Sequence, residues 1–80
     1  MFEIVHEAKL LPHELARLLN VSRISTSLWL NGHRKPHRIL ADRVEALLDR
    51  IRVAVENDDL PLSPDIKRQA RAKCIDDILA

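Results

Sequence analysis

Residues 10–36 read LLPHELARLLNVSRISTSLWLNGHRKP, and their apolar and turn-forming residues predict two short helices joined by a tight turn. Pro12 suits the first turn of a helix, where its missing amide hydrogen has no intrahelical acceptor. Asn20 tolerates the left-handed conformation that ends a helix, and Ser22 is a favourable N-cap for the next one. Gly32, the single glycine of the chain, is expected to end that helix at positive φ. These signals predict a helix-turn-helix.

Two crossing helices need a small residue where they touch and apolar residues that face a shared core. Ala16 supplies the small residue, and Val21 is expected to point inward from the turn. In the second helix of the pair, Thr26 and Trp29 take the inward positions. The outward positions are then Arg23, Ile24, Ser27 and Leu28.

Charge is unevenly distributed along a chain whose net charge is only +1. No Asp or Glu occurs from Leu15 to Ala41. The basic residues of that stretch are Arg17, Arg23, Arg34, Lys35 and Arg38, joined by His33 and His37. An acid-free basic third of a chain indicates a polyanionic partner.

The remaining apolar periodicity predicts three more helices, over residues 2–10, from about Arg38 to Asn57, and from about Pro64 to Leu79. The expected fold is therefore all-α, a compact helix-turn-helix bundle of about five helices whose last two are long. We expect residues 1–60 to form the helix-turn-helix domain and residues 61–80 to form a C-terminal helix for dimerisation.

Composition excludes several classes of protein. A single cysteine, Cys74, cannot form an internal disulfide or a cysteine-rich zinc site, and it indicates a reducing cytoplasm. No apolar run approaches the roughly 20 residues of a membrane span, and the N-terminus lacks the pattern of a signal peptide. No nucleophile with a base, paired carboxylates or glycine-rich phosphate loop is visible. We therefore expect no enzymatic activity, cofactor, metal, membrane partner or small-molecule ligand.

From about Leu10 to Leu48 the sequence resembles the Cro/repressor (XRE-type) helix-turn-helix family of phage and bacterial transcriptional regulators. The residues that carry the resemblance are Glu14-Leu15-Ala16, Val21-Ser22-Arg23, Trp29, Asn31-Gly32 and Lys35-Pro36. The resemblance implies a helical bundle that binds double-stranded DNA as a homodimer. Leu11-Pro12, Asn20 and Leu30 depart from the residues common in the family at those positions.

The resemblance also implies roles for individual residues. Arg23, Ile24, Ser27 and Leu28 match positions that face base edges, and Arg17, Ser22, Asn31 and Lys35 match positions that contact phosphate. His33, Arg34 and Arg38 in the basic loop complete the expected DNA-binding set. Arginine can pair with guanine, and aliphatic side chains suit thymine methyl groups. The alternatives are that Arg23 contacts only phosphate or solvent, that Ile24 and Leu28 are ordinary surface residues, and that the loop is merely solvated.

The C-terminal apolar stripe permits two interpretations. It could fold back and complete the core of one chain, or it could form a dimer interface that spaces two reading helices on DNA. We expect the dimer, with an interface of Ile51, Val55, Ile66, Ala70, Ile75, Ile78 and Leu79. The functional hypothesis is a transcriptional regulator, such as a phage or prophage repressor. The alternatives are an antitoxin or adaptor-type protein-interaction module, and an architectural or excision factor.

Overall fold

The computed structural model describes residues 1–79, which form five α-helices and one 3-10 turn and contain no strand. The helices are α1 (Glu3–Glu7), α2 (Pro12–Leu19), α3 (Arg23–Leu30), α4 (Ala41–Glu56) and α5 (Arg68–Leu79), with the 3-10 turn at Arg38–Leu40. The prediction of an all-α bundle is confirmed. None of the helices within residues 1–79 has the length and apolar character needed to cross a membrane.

The α2–α3 pair has the ends that the sequence predicts. Pro12 opens α2, and Asn20 ends it in the left-handed conformation, at φ 55° and ψ 48°. The Ser22 hydroxyl caps α3 by accepting the Ser25 amide hydrogen at 3.1 Å. Gly32 follows α3 at φ 77°. Local side chain–backbone chemistry therefore fixes both ends of the turn.

Buried residues hold α2 and α3 together. Ala16 is buried, and the Thr26 hydroxyl lies 3.0 Å from the Pro12 carbonyl and 2.9 Å from the Arg23 carbonyl, to which it donates. Trp29 faces the core and stacks on Phe2 with a centroid distance of 6.2 Å. The inward positions predicted for Thr26 and Trp29 are confirmed.

One hydrophobic core joins all parts of the described chain. Its largest fully buried apolar side chains are Val5, Leu15, Val44, Ile51, Leu60 and Ile75. Residues from both sides of position 60 contribute to it. The division into residues 1–60 and 61–80 stays a prediction, and Ala80 lies outside the described residues.

The dimer interface expected from the apolar stripe needs correction. Ile51, Ile75 and Leu79 are buried within the single chain, because α5 folds back onto α4. Val55 and Ile78 pack half-buried against the same core. Of the other two, Ile66 is half-buried and Ala70 is exposed on α5. Ile51, Ile75 and Leu79 therefore belong to the core of the single chain, whereas an interface that uses the other four residues is not tested by this structure.

Three predicted helix boundaries differ from the observed ones, two of them beside local hydrogen bonds and one at a residue with positive φ. The His37 ring nitrogen accepts the Ile39 amide hydrogen at 3.1 Å, so a 3-10 turn precedes α4. The Ser63 carbonyl accepts the Ile66 amide hydrogen at 3.1 Å in a turn before α5. Lys9 adopts φ 54° after α1, which therefore ends before residue 10.

Candidate functional site

The basic loop, residues 33–38, follows α3 across the surface and ends with Arg38, the first residue of the 3-10 turn. Its start is anchored because the His33 and Arg34 amides donate to the Leu28 carbonyl at 2.9 and 3.3 Å. All its residues are exposed except Pro36, which is half-buried. Among residues 1–79, the observed ion pairs do not include Arg34, Lys35 or Arg38. The loop thus presents positive charge to solvent.

Arg17, which is expected to contact phosphate, lies at the surface and forms hydrogen bonds with another helix of the same chain. Its guanidinium donates to the two carboxylate oxygens of Asp76 at 2.8 and 3.0 Å and to the Ala72 carbonyl at 3.3 Å. These contacts connect α2 to α5. Arg17 therefore makes a structural contact that sequence reasoning missed, because Asp76 lies 59 residues away.

The outward face of α3 matches its predicted orientation. Arg23 is exposed, Ile24 is 75% exposed, and Ser27 and Leu28 are half-buried. Pro12 and His13, together with Arg23, Ile24 and Ser27, line a shallow groove of about 390 Å³. Ser22 and Asn31, at the two ends of α3, are exposed as well. The sequence-predicted residues of this face are therefore brought together on one surface.

A larger groove of about 560 Å³ lies between α1 and the basic loop. We call it the aromatic groove. Its apolar part is formed by Met1, Phe2, Trp29, Leu30, Pro36 and Ala41, and its polar residues include Glu3, His6, Arg34 and Lys35. The Glu3 carboxylate accepts from the N-terminal amine at 2.7 Å. The hydrogen bond from this amine is the main cause that lowers the pKa of Glu3, and a hydrogen bond to the Glu3 backbone lowers it further.

Sequence reasoning missed the aromatic groove, although one signal pointed to it. The chain has a single Phe, a single Trp and no Tyr, and the fold stacks its two aromatic rings at an interplanar angle of 12°. Among the described residues, no cluster of three or more His, Cys, Asp or Glu side chains could hold a metal. The groove combines an apolar lining with a rim that carries Arg34 and Lys35.

The fold is a small helical module whose surface carries an apolar groove beside a cationic loop. No protein-family model matches the chain, and no solved structure matches it significantly. Over 37 residues the chain is 54% identical to a protein of Aggregatibacter actinomycetemcomitans named "Ancillary SecYEG translocon subunit". The matched residues are 46% of this chain and 18% of that relative. The chain therefore matches less than a fifth of the relative's length.

This match overturns the functional hypothesis drawn from the sequence. The predicted membership in the Cro/repressor family, with a phage repressor role and double-stranded DNA as the partner of a homodimer, is wrong, because the relative is named for protein translocation. The antitoxin, adaptor and excision alternatives gain no support from it. A helix-turn-helix is a way of packing two helices, and the same fold can carry unrelated functions.

Proposed function

We propose that this chain is an ancillary factor of protein translocation that binds a polypeptide of the translocation machinery. The observation that carries the proposal is the 54% identity over 37 residues to a relative named as a SecYEG translocon subunit. The proposed role is binding without catalysis. The cytoplasmic location expected from the single cysteine stays part of the proposal.

The surface supports a role in protein binding. Ile24 and Ile39 are 75% and 82% exposed, and the aromatic groove gathers further apolar area at one place. Single exposed apolar residues are common on proteins, whereas an apolar groove with few polar groups is typical of a binding site. The cationic loop beside the groove would accelerate association with an acidic surface.

A direct binding measurement tests the proposal. SecYEG of A. actinomycetemcomitans is reconstituted in immobilised nanodiscs, and binding of the full chain is followed by biolayer interferometry. Empty nanodiscs of the same lipid composition are the control. We expect saturable binding to the SecYEG discs only.

Two results would overturn the proposal. One is equal binding, or equal absence of binding, with SecYEG discs and empty discs. The other result comes from selecting bound duplexes from a random DNA pool. An enriched sequence motif, together with no SecYEG binding, would support DNA binding in place of a role in translocation.

A further inference from the structure

We infer that the aromatic groove binds an acidic peptide segment, with a large apolar side chain on the aromatic floor and carboxylates on Arg34 and Lys35. The inference deepens the proposed function and rests on it for the source of the peptide. It names the surface used and the chemistry of the segment that the surface takes.

The floor of the groove is preformed. Phe2 and Trp29 are only 8% and 6% exposed, so the core fixes both rings while an edge of each borders the groove. Because only the edges of the rings are accessible, an apolar anchor would contact these edges together with the half-buried side chains of Leu30 and Pro36. A surface that the core holds in this way loses little conformational entropy when a ligand binds. The volume of about 560 Å³ falls within the few hundred to about 1,000 Å³ typical of sites that bury a ligand.

The rim is cationic and held in place. The Arg34 amide donates to the Leu28 carbonyl, which holds the backbone of Arg34 in place. Pro36 restricts the backbone of Lys35 to extended conformations. Glu3 is the one acid among the residues that line the groove, and none of the ion pairs within residues 1–79 joins it to Arg34 or Lys35. The two permanent cations of the rim are therefore uncompensated among the residues that line the groove, which favours an anionic ligand.

The recessed shape favours a peptide over a flat anionic surface. An amphipathic helix places apolar anchors at i, i+3 and i+4 and can put carboxylates on either side of them. One anchor would reach the Phe2–Trp29 floor while neighbouring carboxylates reach the rim. Arginine can bind a carboxylate through two parallel hydrogen bonds, which adds orientation to the electrostatic attraction.

The single tryptophan provides the readout, because Trp29 lines the groove. The full chain is titrated with a blocked amphipathic peptide that has Leu at i, i+3, i+4 and i+7, Glu on either side of these positions and Ala elsewhere to favour a helix, and Trp29 emission is recorded. A peptide with Lys in place of Glu and one with Ser in place of Leu are the matched ligands. We expect a saturable change with the Glu/Leu peptide alone, weakened by added salt.

Charge reversal locates the contact. The double variant Arg34→Glu/Lys35→Glu is expected to bind the Glu/Leu peptide at least about tenfold more weakly, since two attractive charges become repulsive. Its matched control is Lys67→Glu/Arg68→Glu, which reverses two exposed cations outside the groove. Circular dichroism checks that both variants keep the helical fold.

Four results would overturn the inference: no titration by the Glu/Leu peptide, equal binding of the Lys peptide, equal loss in both double variants, or a Trp29 response to anionic phosphatidylglycerol vesicles alone. Failure of the proposed function is distinguishable from these. Peptide binding without SecYEG binding overturns the proposed function only, and SecYEG binding without peptide binding overturns the groove inference only.

Discussion

At the scale of single residues, the buried contact between Glu14 and Arg71 stands out. Glu14 is 4% exposed, and its two carboxylate oxygens accept from the Arg71 guanidinium at 2.9 Å each. One of them also accepts the Leu11 amide hydrogen at 2.9 Å. Burial acts to raise the pKa of Glu14, but the hydrogen bonds from Arg71 and Leu11 outweigh it and hold the pKa below its ordinary value of 4.5. The charged pair therefore stabilises the fold.

This contact predicts a pH dependence of stability. Because the pKa of Glu14 is lower in the folded chain, its contribution is fully present above about pH 4.5 and is lost as the pH falls through the folded pKa. We compare the urea unfolding free energy of the wild type and Glu14→Gln from neutral pH to about pH 3. The advantage of the wild type should shrink below about pH 4.5. A constant difference across this range would contradict the prediction.

Two arginines on α2 and α5 offer a matched comparison of a buried and an exposed ion pair. Arg71→Ala leaves the Glu14 carboxylate buried without its partner and should lower the free energy of unfolding by about 2–3 kcal/mol. Arg17→Ala removes a pair whose side chains are 43% and 50% exposed, and should cost less than about 1 kcal/mol because water screens it. Urea denaturation of both variants decides, and equal losses would contradict the prediction.

At the scale of secondary-structure elements, the cap of α3 is testable. The Ser22 hydroxyl accepts the Ser25 amide hydrogen, so Ser22→Ala leaves this group without its cap and should cost about 1 kcal/mol. Ser22→Asp keeps an acceptor at the same place and should lie close to the wild type. Chemical denaturation of the two variants measures the difference. An equal loss of stability in Ser22→Ala and Ser22→Asp would show that the Ser22 hydroxyl does not stabilise α3 as its N-cap.

The end of α3 depends on backbone conformation. Gly32 adopts φ 77° with open space around the position of a Cβ, so a substitution there meets no steric clash and tests the backbone alone. Gly32→Ala should cost about 1 kcal/mol, and Gly32→Asn should cost less because Asn tolerates this conformation better. Thermal unfolding of the two variants checks the order. An Ala variant as stable as the wild type would contradict it.

Elements were predictable from the sequence where local chemistry sets them. Pro12 and Asn20 act through their own backbone conformation, and the Ser22 hydroxyl acts on an amide three residues away, so the ends of α2 and the start of α3 agree with the prediction. At the 3-10 turn before α4 and in the turn before α5, His37 and Ser63 accept hydrogen bonds from backbone amides two or three residues further along the chain. Such bonds leave no periodic signal in the sequence.

At the scale of the whole molecule, the missed features are the tertiary ones. An apolar stripe reports that a helix buries one face, but not whether its own chain or a second copy covers that face. At Ile75 the chain itself covers the apolar face, because this side chain is fully buried within the single chain. The aromatic groove likewise depends on contact between Phe2 and Trp29, which are far apart in sequence. The basic loop was predicted as exposed and is so, although its partner was assigned wrongly from the motif.

The position of Ile75 makes a prediction for the molecule as a whole. Ile75 is fully buried on α5, within the core that joins α5 to the rest of the chain. Truncation to Ala would leave a cavity and cost about 2–5 kcal/mol. For a domain this small that is a large share of the total stability. We therefore expect Ile75→Ala to lower the unfolding temperature strongly or to unfold the chain.

Thermal unfolding at two protein concentrations, about tenfold apart, separates a core residue from an interface residue. If Ile75 belongs to the core of one chain, the unfolding temperature of the wild type does not depend on concentration, because no association is coupled to folding. Ala70→Ser, on the exposed side of α5, is the control and should unfold like the wild type. A wild-type unfolding temperature that rises with concentration, and no longer does so in Ile75→Ala, would assign Ile75 to a contact between copies instead.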